Sequence, residues 1–412
     1  MSQRKDFLIF GSPRIEEEEI EAVVQVLRSG WLGTGPKVTR FETDFARYRG
    51  AEHATAVNSC TAALHLALLS SGIGPGDEVI TTPMTFCATA NAIVHTGAVP
   101  ILADIDPQTL NLSVEEVRRK ISPRTRAIVP VHFAGRPCEM DELMRLAREH
   151  DLKIIEDCAH AIETSYKGRS AGTFGDFGCF SFYVTKNVVT GEGGMVLSRS
   201  AADAGRVKIL ALHGMSKDAW KRFSDEGYKH YYVEEAGFKY NMTDIQAAIG
   251  IEQLMKVEAY WKRREEIWHR YMSELADLPI TLPACPAENT RHGHHLFTLL
   301  IDRERCGLSR DEFIDAMTRA NIGVGVHYLA LTEHPYYART LGWNEDSAPV
   351  ATRVGRQIVS IPLSAKLTDS DVGDVISAVR QIVGSRSTGA PASSAVNPST
   401  ADGSHLSRKQ PA

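Results

Sequence analysis

The chain has 412 residues, 43% hydrophobic and 24% charged, with a formal net charge of −5. That length and apolar content suffice for two domains with real cores, and the acidic balance excludes a general attraction to nucleic acid or an anionic membrane. The seven cysteines are odd in number, widely scattered and never spaced C-x-x-C, which supports neither a zinc site nor a disulfide framework. The first ten residues carry charges and no long apolar run, so neither a signal peptide nor a membrane span is expected, and a reducing cytoplasm is the default compartment.

Residues 16–27 read as an amphipathic helix, with Ile20, Val23, Val24 and Leu27 on one face. The loop 29–36, containing Gly33, Thr34 and Gly35, is too glycine-rich for helix or strand and suits either a connector or a site wall. A second helix spans 38–48 and a short strand 54–57. The run that follows, 58–69, is apolar nearly all round and reads as a buried helix with Asn58 and Ser59 as N-caps. A strand feeding a helix N-terminus leaves free N–H groups that suit a phosphate, although a capped helix need bind nothing.

From Gly74 strands and helices alternate. Strands are expected over 79–82, 99–104, 127–131 and 153–157, with helices over 88–95, 114–121 and 140–150. Continuous apolar strands alternating with helices mean an α/β fold with a mostly parallel sheet covered on both faces. In such sheets ligands sit beyond the carboxyl ends of the strands. Phe86, Asp157 and His160 fall at such ends, where an aspartate also commonly caps the next turn.

The stretch 180–194 begins as an apolar strand, carries the single lysine Lys186, and ends in a turn with Gly191, Gly193 and Gly194. Burial disfavours a charged amine, and a neutral amine is what a Schiff base to an aldehyde requires. The same pattern suits a strand-end lysine reaching solvent. Residues 207–212 are helical, 215–235 read as a long surface excursion, and Thr243 caps a helix over 245–256. A further helix is expected over 260–278, and prolines at 279–286 mark a domain boundary. Strands over 296–301 and 323–328, a helix over 309–320 capped by Ser309, and a last helix over 369–383 complete a smaller α+β unit. His292, His294 and His295 lie on a loop without cysteine or carboxylate at ligand spacing and read as plain loop histidines, with no metal. The expected division is 1–260, 261–384 and a Ser/Ala/Pro/Gly-rich tail, 385–412, that is too polar to fold.

A helix N-terminus for a phosphate, an aromatic, a strand-end aspartate and a lysine on a later loop converge on one sheet edge. Pyridoxal phosphate needs those four things. The segments 58–65, Glu156-Asp157-Cys158-Ala159-His160, 180–194 and 240–248 resemble the sugar aminotransferases of the DegT/DnrJ/EryC1/StrS type, pyridoxal-phosphate enzymes of the aspartate-aminotransferase fold (fold type I). The resemblance runs from about 8 to 384. It implies that Lys186 bonds the cofactor aldehyde and moves a proton, and that Asp157 pairs with the ring nitrogen. It implies that Phe86 covers the ring, that His160 sits near the ring oxygen, and that Thr61, Ala62 and Ser181 hold the phosphate. Asn241 is expected to reach the partner subunit's phosphate, making a homodimer with shared sites, while Gly33, Thr34 and His327 border the sugar. The substrates implied are a nucleotide-linked keto sugar and L-glutamate, with 2-oxoglutarate and pyridoxamine phosphate in the cycle.

The segments 123–135 and 323–328 are most similar to enzymes that make UDP-4-amino-4-deoxy-L-arabinose, so amination at C4 is expected. Tyr183-Val184-Thr185 before the lysine and Gly33 depart from that group's pattern, which leaves C3 amination as the alternative. A dehydratase of the same fold carries histidine in place of the lysine, which Lys186 argues against, and nothing supplies the added DNA-binding domain of a non-catalytic regulator.

Overall fold

The computed structural model describes residues 4–216 and 230–387. Most of the expected excursion 215–235 and nearly all of the tail lie outside the described residues.

The strands are β1 His53–Val57, β2 Glu78–Thr81, β3 Val99–Leu102, β4 Thr125–Val129, β5 Lys153–Asp157, β6 Ser165–Tyr166, β7 Arg169–Ser170, β8 Phe177–Ser181, β9 Gly194–Ser198, β10 Thr290–Arg291, β11 Phe297–Leu300 and β12 Ile358–Ile361. The helices are α1 Glu17–Ser29, α2 Pro36–Arg49, α3 Cys60–Ser70, α4 Cys87–His95, α5 Val114–Lys120, α6 Met140–Glu149, α7 Ala201–Ala211, α8 Asp244–Glu274, α9 Arg303–Cys306, α10 Arg310–Arg319, α11 Pro335–Leu341, α12 Pro349–Gln357 and α13 Asp369–Ser387.

Seven strands form one sheet in the order β1-β9-β8-β5-β4-β2-β3. The pairs β3–β2, β2–β4, β4–β5 and β5–β8 are parallel. β9 alone runs antiparallel, between β8 and β1. The alternating apolar strands therefore give the mostly parallel sheet the sequence implies. Its strands are buried on both faces because α3, α4 and α7 cover one, while α2 and α8 with α5 and α6 cover the other. Phe41, Phe45, Phe180 and Phe182 interlock beneath β8, with ring centroids 5.0 to 6.2 Å apart. Truncating one such buried ring typically costs about 3–5 kcal/mol.

Three differences from the sequence reading matter. The helices expected over 245–256 and 260–278 are one helix of 31 residues, α8, opened by a Thr243–Gln246 capping box; no glycine or proline falls between residues 251 and 274 to break it. Its C-terminal half carries Ile267, Trp268 and Tyr271 into a second core with β11, β12 and α13. The segment 323–328 is not a strand: Gly325 makes an isolated bridge with Ser360, after which the chain leaves the β11–β12 pair and carries His327 and Tyr328 toward the large sheet. A small sheet, β10-β6-β7, ties the loop after β5 to the loop before β11; its two-residue strands leave no periodic signal. Among the described residues no helix is long and apolar enough to cross a membrane.

Candidate active site

The carboxyl ends of the parallel strands set the site. β1 delivers the chain to α3, whose N-cap Ser59 accepts a hydrogen bond from the Ala62 N–H at 3.1 Å. Ala62 is thus already capped, and the N–H groups left without an intrahelical acceptor are those of Cys60 and Thr61. Gly194, at the start of β9, passes directly beneath this terminus. A Cβ there would lie 2.6 Å from the Ser59 carbonyl and 2.8 Å from the Cys60 nitrogen. The close approach that its missing side chain permits is to the helix N-terminus itself. Gly191, at φ +81°, supplies the left-handed turn, and buried Ser181 ends β8 directly opposite Gly194.

Asp157 ends β5 and is buried. Its Oδ2 accepts from the Thr89 hydroxyl at 2.8 Å and its Oδ1 from the Ala159 N–H at 3.0 Å. No ion pair reaches it among the described residues. Burial raises its pKa, with Ala159, Thr89 and the nearby Lys186 charge opposing. A buried carboxylate without a cation suits a protonated ring nitrogen. Lys186 lies in the turn after β8, half-buried, and burial lowers its pKa from 10.5 to about 8, against the pull of Cys60 and Asp157.

Three imidazoles stand around that amine. His160 follows β5, and its ring lies 4.3 Å from that of His295. His327 approaches from the segment after α10 and bonds Ser360 through Nδ1 at 3.0 Å. Burial, then the Lys186 charge, holds His160 and His295 well below the ordinary imidazole range and His327 at about 4. All three are therefore neutral near pH 7. Tyr328 bonds His160 Nε2 at 3.0 Å, and the exposed Phe86 ring at the N-cap of α4 lies 6.1 Å from Tyr328.

Lys186, Asp157, Phe86, His160 and His327 are thus gathered at one sheet edge. Asn241, Gly33 and Thr34 form a separate cluster. Asn241 Nδ2 donates to Thr34 Oγ1 at 2.7 Å, and that hydroxyl donates to the Met242 carbonyl at 2.5 Å. The buried Asp244 carboxylate accepts the N–H groups of Gly35, Lys37 and Val38 at 2.8 to 3.1 Å, while its own N–H donates to the Gly33 carbonyl. The loop and the Asn241 segment are one clamped unit. It touches the glycine turn through Gln246 Nε2, which donates to the Glu192 carbonyl at 2.7 Å.

His292, His294 and His295 lie on the loop between β10 and β11, as the sequence reads, but all three are buried. The small β10-β6-β7 sheet folds their loop inward, and Gly293 packs on Gly135. The potential metal donors that do gather, among the described residues, are His132, Glu156 and Cys158. There His132 Nδ1 accepts the Cys138 N–H, and its Nε2 meets Glu156 Oε2 at 3.0 Å. Glu156 also accepts N–H bonds from Gly172, Phe174 and Gly175 at 2.7 Å each. His132 and Glu156 thus spend their bonds on one another and on backbone N–H groups, as an internal strut under β5.

Sequence reasoning missed Thr89, Asn187, His295 and Tyr328. Asn187 and Tyr328 each adjoin a residue it singled out. For Thr89, one turn into α4, no local signal exists.

Comparison with known proteins shows the family. The model of the DegT/DnrJ/EryC1/StrS aminotransferase family matches residues 13–380. The spore coat polysaccharide biosynthesis protein SpsC of Bacillus subtilis is 47% identical over 384 residues, covering 93% of this chain and 99% of that protein. The putative sugar aminotransferase Spr1654 of Streptococcus pneumoniae, solved in its PMP form, superposes with a TM-score of 0.86 at 32% identity over 92% of this chain and 99% of that one. DesI, solved in the presence of its TDP-sugar product, gives a TM-score of 0.83 at 30% identity over 94% and 96%. The chain belongs to the DegT/DnrJ/EryC1/StrS family and is a pyridoxal-phosphate-dependent sugar aminotransferase.

Proposed function

We propose that this enzyme moves an amino group from L-glutamate to the C4 keto carbon of a nucleotide-linked sugar, with UDP as carrier, in the cytoplasm. The product is a 4-amino sugar for a cell-surface polysaccharide or lipid. The observation that carries the catalytic reading is the Lys186 amine, lowered to about 8, set against a buried Asp157 with no cation of its own. The DesI sugar product and the SpsC name support a nucleotide sugar and a surface glycan. The resemblance of 123–135 and 323–328 supports UDP and C4. The seven unpaired cysteines support a reducing compartment.

In this reading Lys186 holds the aldehyde carbon and, once released, carries the proton that moves on and off the amine-bearing carbon. Asp157 keeps the ring nitrogen protonated, fixed in place by Thr89 and Ala159. The Cys60 and Thr61 N–H groups, the Thr61 hydroxyl and Ser181 receive the phosphate at the positive end of α3; Ala62 joins them only where Ser59 releases its N–H. Phe86 covers the ring, and His327 with Thr34 borders the sugar. Bound there, pyridoxal phosphate supplies an electron sink that makes the hydrogen beside the amine acidic.

Asn241 serves the partner subunit's site. Half-exposed Trp31 and Leu32, beside Thr34, support an interface at this unit.

The test is a panel of 3-keto and 4-keto sugars on UDP and TDP with glutamate as donor, the new amine located by NMR. An amine at C4 of a UDP sugar is expected. An amine at C3 overturns the position and leaves the family standing.

A further inference from the structure

The two ring nitrogens of His160 are both spent on protein groups, and the way they are spent decides where a proton points. His160 Nδ1 accepts the backbone N–H of Ala134 at 3.2 Å. A backbone N–H can only donate, so this nitrogen carries no hydrogen. Ala134 is pinned in that pose. Its φ is +56°, its carbonyl takes the N–H groups of His295 and Leu296 at 3.1 and 3.3 Å, and Asn111 Oδ1 holds the N–H of Phe133 beside it at 3.0 Å. The single hydrogen of neutral His160 is therefore on Nε2.

That nitrogen lies 3.0 Å from Tyr328 Oη, so the histidine donates and the tyrosine oxygen accepts. The hydroxyl hydrogen of Tyr328 is then left to point elsewhere. Among the described residues it meets no acceptor. The phenol lies in the site: it stacks on His160 at 6.0 Å and 16°, and packs against Phe133 at 6.4 Å and Phe86 at 6.1 Å. Burial, with the Asp157 charge adding to it, raises its pKa, which keeps it an O–H donor across the working range.

We propose that Tyr328, and not His160, donates the hydrogen bond to the ring oxygen of bound pyridoxal phosphate, as the end of a one-way chain from Ala134 N–H through His160. The inference rests on the reading that Lys186 and Asp157 hold the cofactor. It makes His160 a positioning residue and moves the contact expected of it to Tyr328. The acceptor is taken as the cofactor oxygen because the phenol lies beside Phe86, the ring cover, and feels the charge of Asp157. No covalent bond changes, and the hydrogen stays on the tyrosine.

The test is a spectroscopic titration of holoenzyme in the absence of glutamate and sugar, with wild type, Tyr328→Phe and His160→Gln compared. Removing the donor leaves the ring oxygen more basic, which favours the proton on the nearby nitrogen joining cofactor to lysine. The midpoint of the visible absorption change in Tyr328→Phe is therefore expected to rise by about one pH unit, a tenfold change in acid constant. Cofactor affinity should fall by no more than about tenfold, since one hydrogen bond is lost. Borohydride reduction of the same variant followed by peptide mapping should still label Lys186. An unchanged midpoint with Lys186 labelled overturns the inference alone, as does a larger shift in His160→Gln than in Tyr328→Phe, or an effect confined to KM for the sugar. A label on a different lysine overturns the site reading and this inference with it.

Discussion

Asn187 Oδ1 accepts a hydrogen bond from Nδ1 of His295 at 3.0 Å. The amide's orientation is set from its other end. Asn187 Nδ2 donates to Glu163 Oε2 at 2.8 Å and to the Gly293 carbonyl at 2.9 Å, and Glu163 in turn pairs with buried Arg264. The residue after Lys186 is thus bolted to the histidine loop, and His295 is left with an Nε2 that carries no hydrogen. Asn187→Ala should cost about 1–3 kcal/mol by leaving Glu163 and Gly293 short of a donor. Asn187→Asp should cost more, because it sets a carboxylate against Glu163 and the carbonyl. Thermal melts at neutral pH order the two variants; equal losses would remove the bolt from the account.

The Lys186 amine at about 8 predicts how apoenzyme takes up its cofactor. Only the neutral amine attacks an aldehyde. At pH 7.5 a group of pKa 8 is about a quarter neutral, against about a thousandth at 10.5. A depressed lysine is neutral above its folded pKa and is protonated as pH falls through it. The rate of covalent reconstitution should therefore climb from pH 6.5 and level off above about 8.5. A rate still rising tenfold per unit at pH 9.5 would mean that Lys186 is not desolvated.

Asp157→Asn keeps the shape of the β5 end. The amide oxygen can still accept the Ala159 N–H, and its nitrogen can donate to Thr89 Oγ1, which now accepts. What is lost is the charge facing the ring nitrogen. Transamination should fall by on the order of a thousandfold, a barrier increase of about 4 kcal/mol, while the melting temperature holds or rises, since burial already disfavours the carboxylate. Near-normal turnover in a folded variant would count against the role.

The parallel sheet and its strand-end residues were legible because buried β-strands read as short apolar runs between helical periods, and because ligands collect where such strands end. The strand-end placement of Asp157, Phe86 and His160 follows from that rule, while the roles expected of them came with the resemblance. The lysine needed its resemblance to a family, since a strand-end lysine has a plain solvent-facing alternative. The burial of His292, His294 and His295 was not legible. It depends on the two-residue strands of β10-β6-β7 and on Gly293 meeting Gly135, contacts between segments over a hundred residues apart. The break of 323–328 from its sheet was hidden for the same reason. A single bridge at Gly325 looks in sequence like the start of a strand, and only the tertiary pull of the large sheet turns His327 and Tyr328 into the site.

The shared-site model is open to complementation. Asn241 is clamped with Thr34 and Asp244 at the N-terminus of α2, next to exposed Trp31 and Leu32, and on the proposed reading it reaches the partner's phosphate. One chain is made with Lys186→Ala and another with Asn241→Phe, whose ring blocks the phosphate position. Each homodimer should be inactive. In a mixed dimer, the site whose lysine comes from the Asn241→Phe chain receives its asparagine from the Lys186→Ala chain, so both groups are intact; the opposite site lacks both. Random mixing makes half the dimers mixed, with one working site in two, so activity should return to about a quarter of wild type. Were Asn241 to serve its own chain, every site would carry one defect. A silent mixture, with mixed dimers verified by differently tagged chains, would confine the active site to a single subunit.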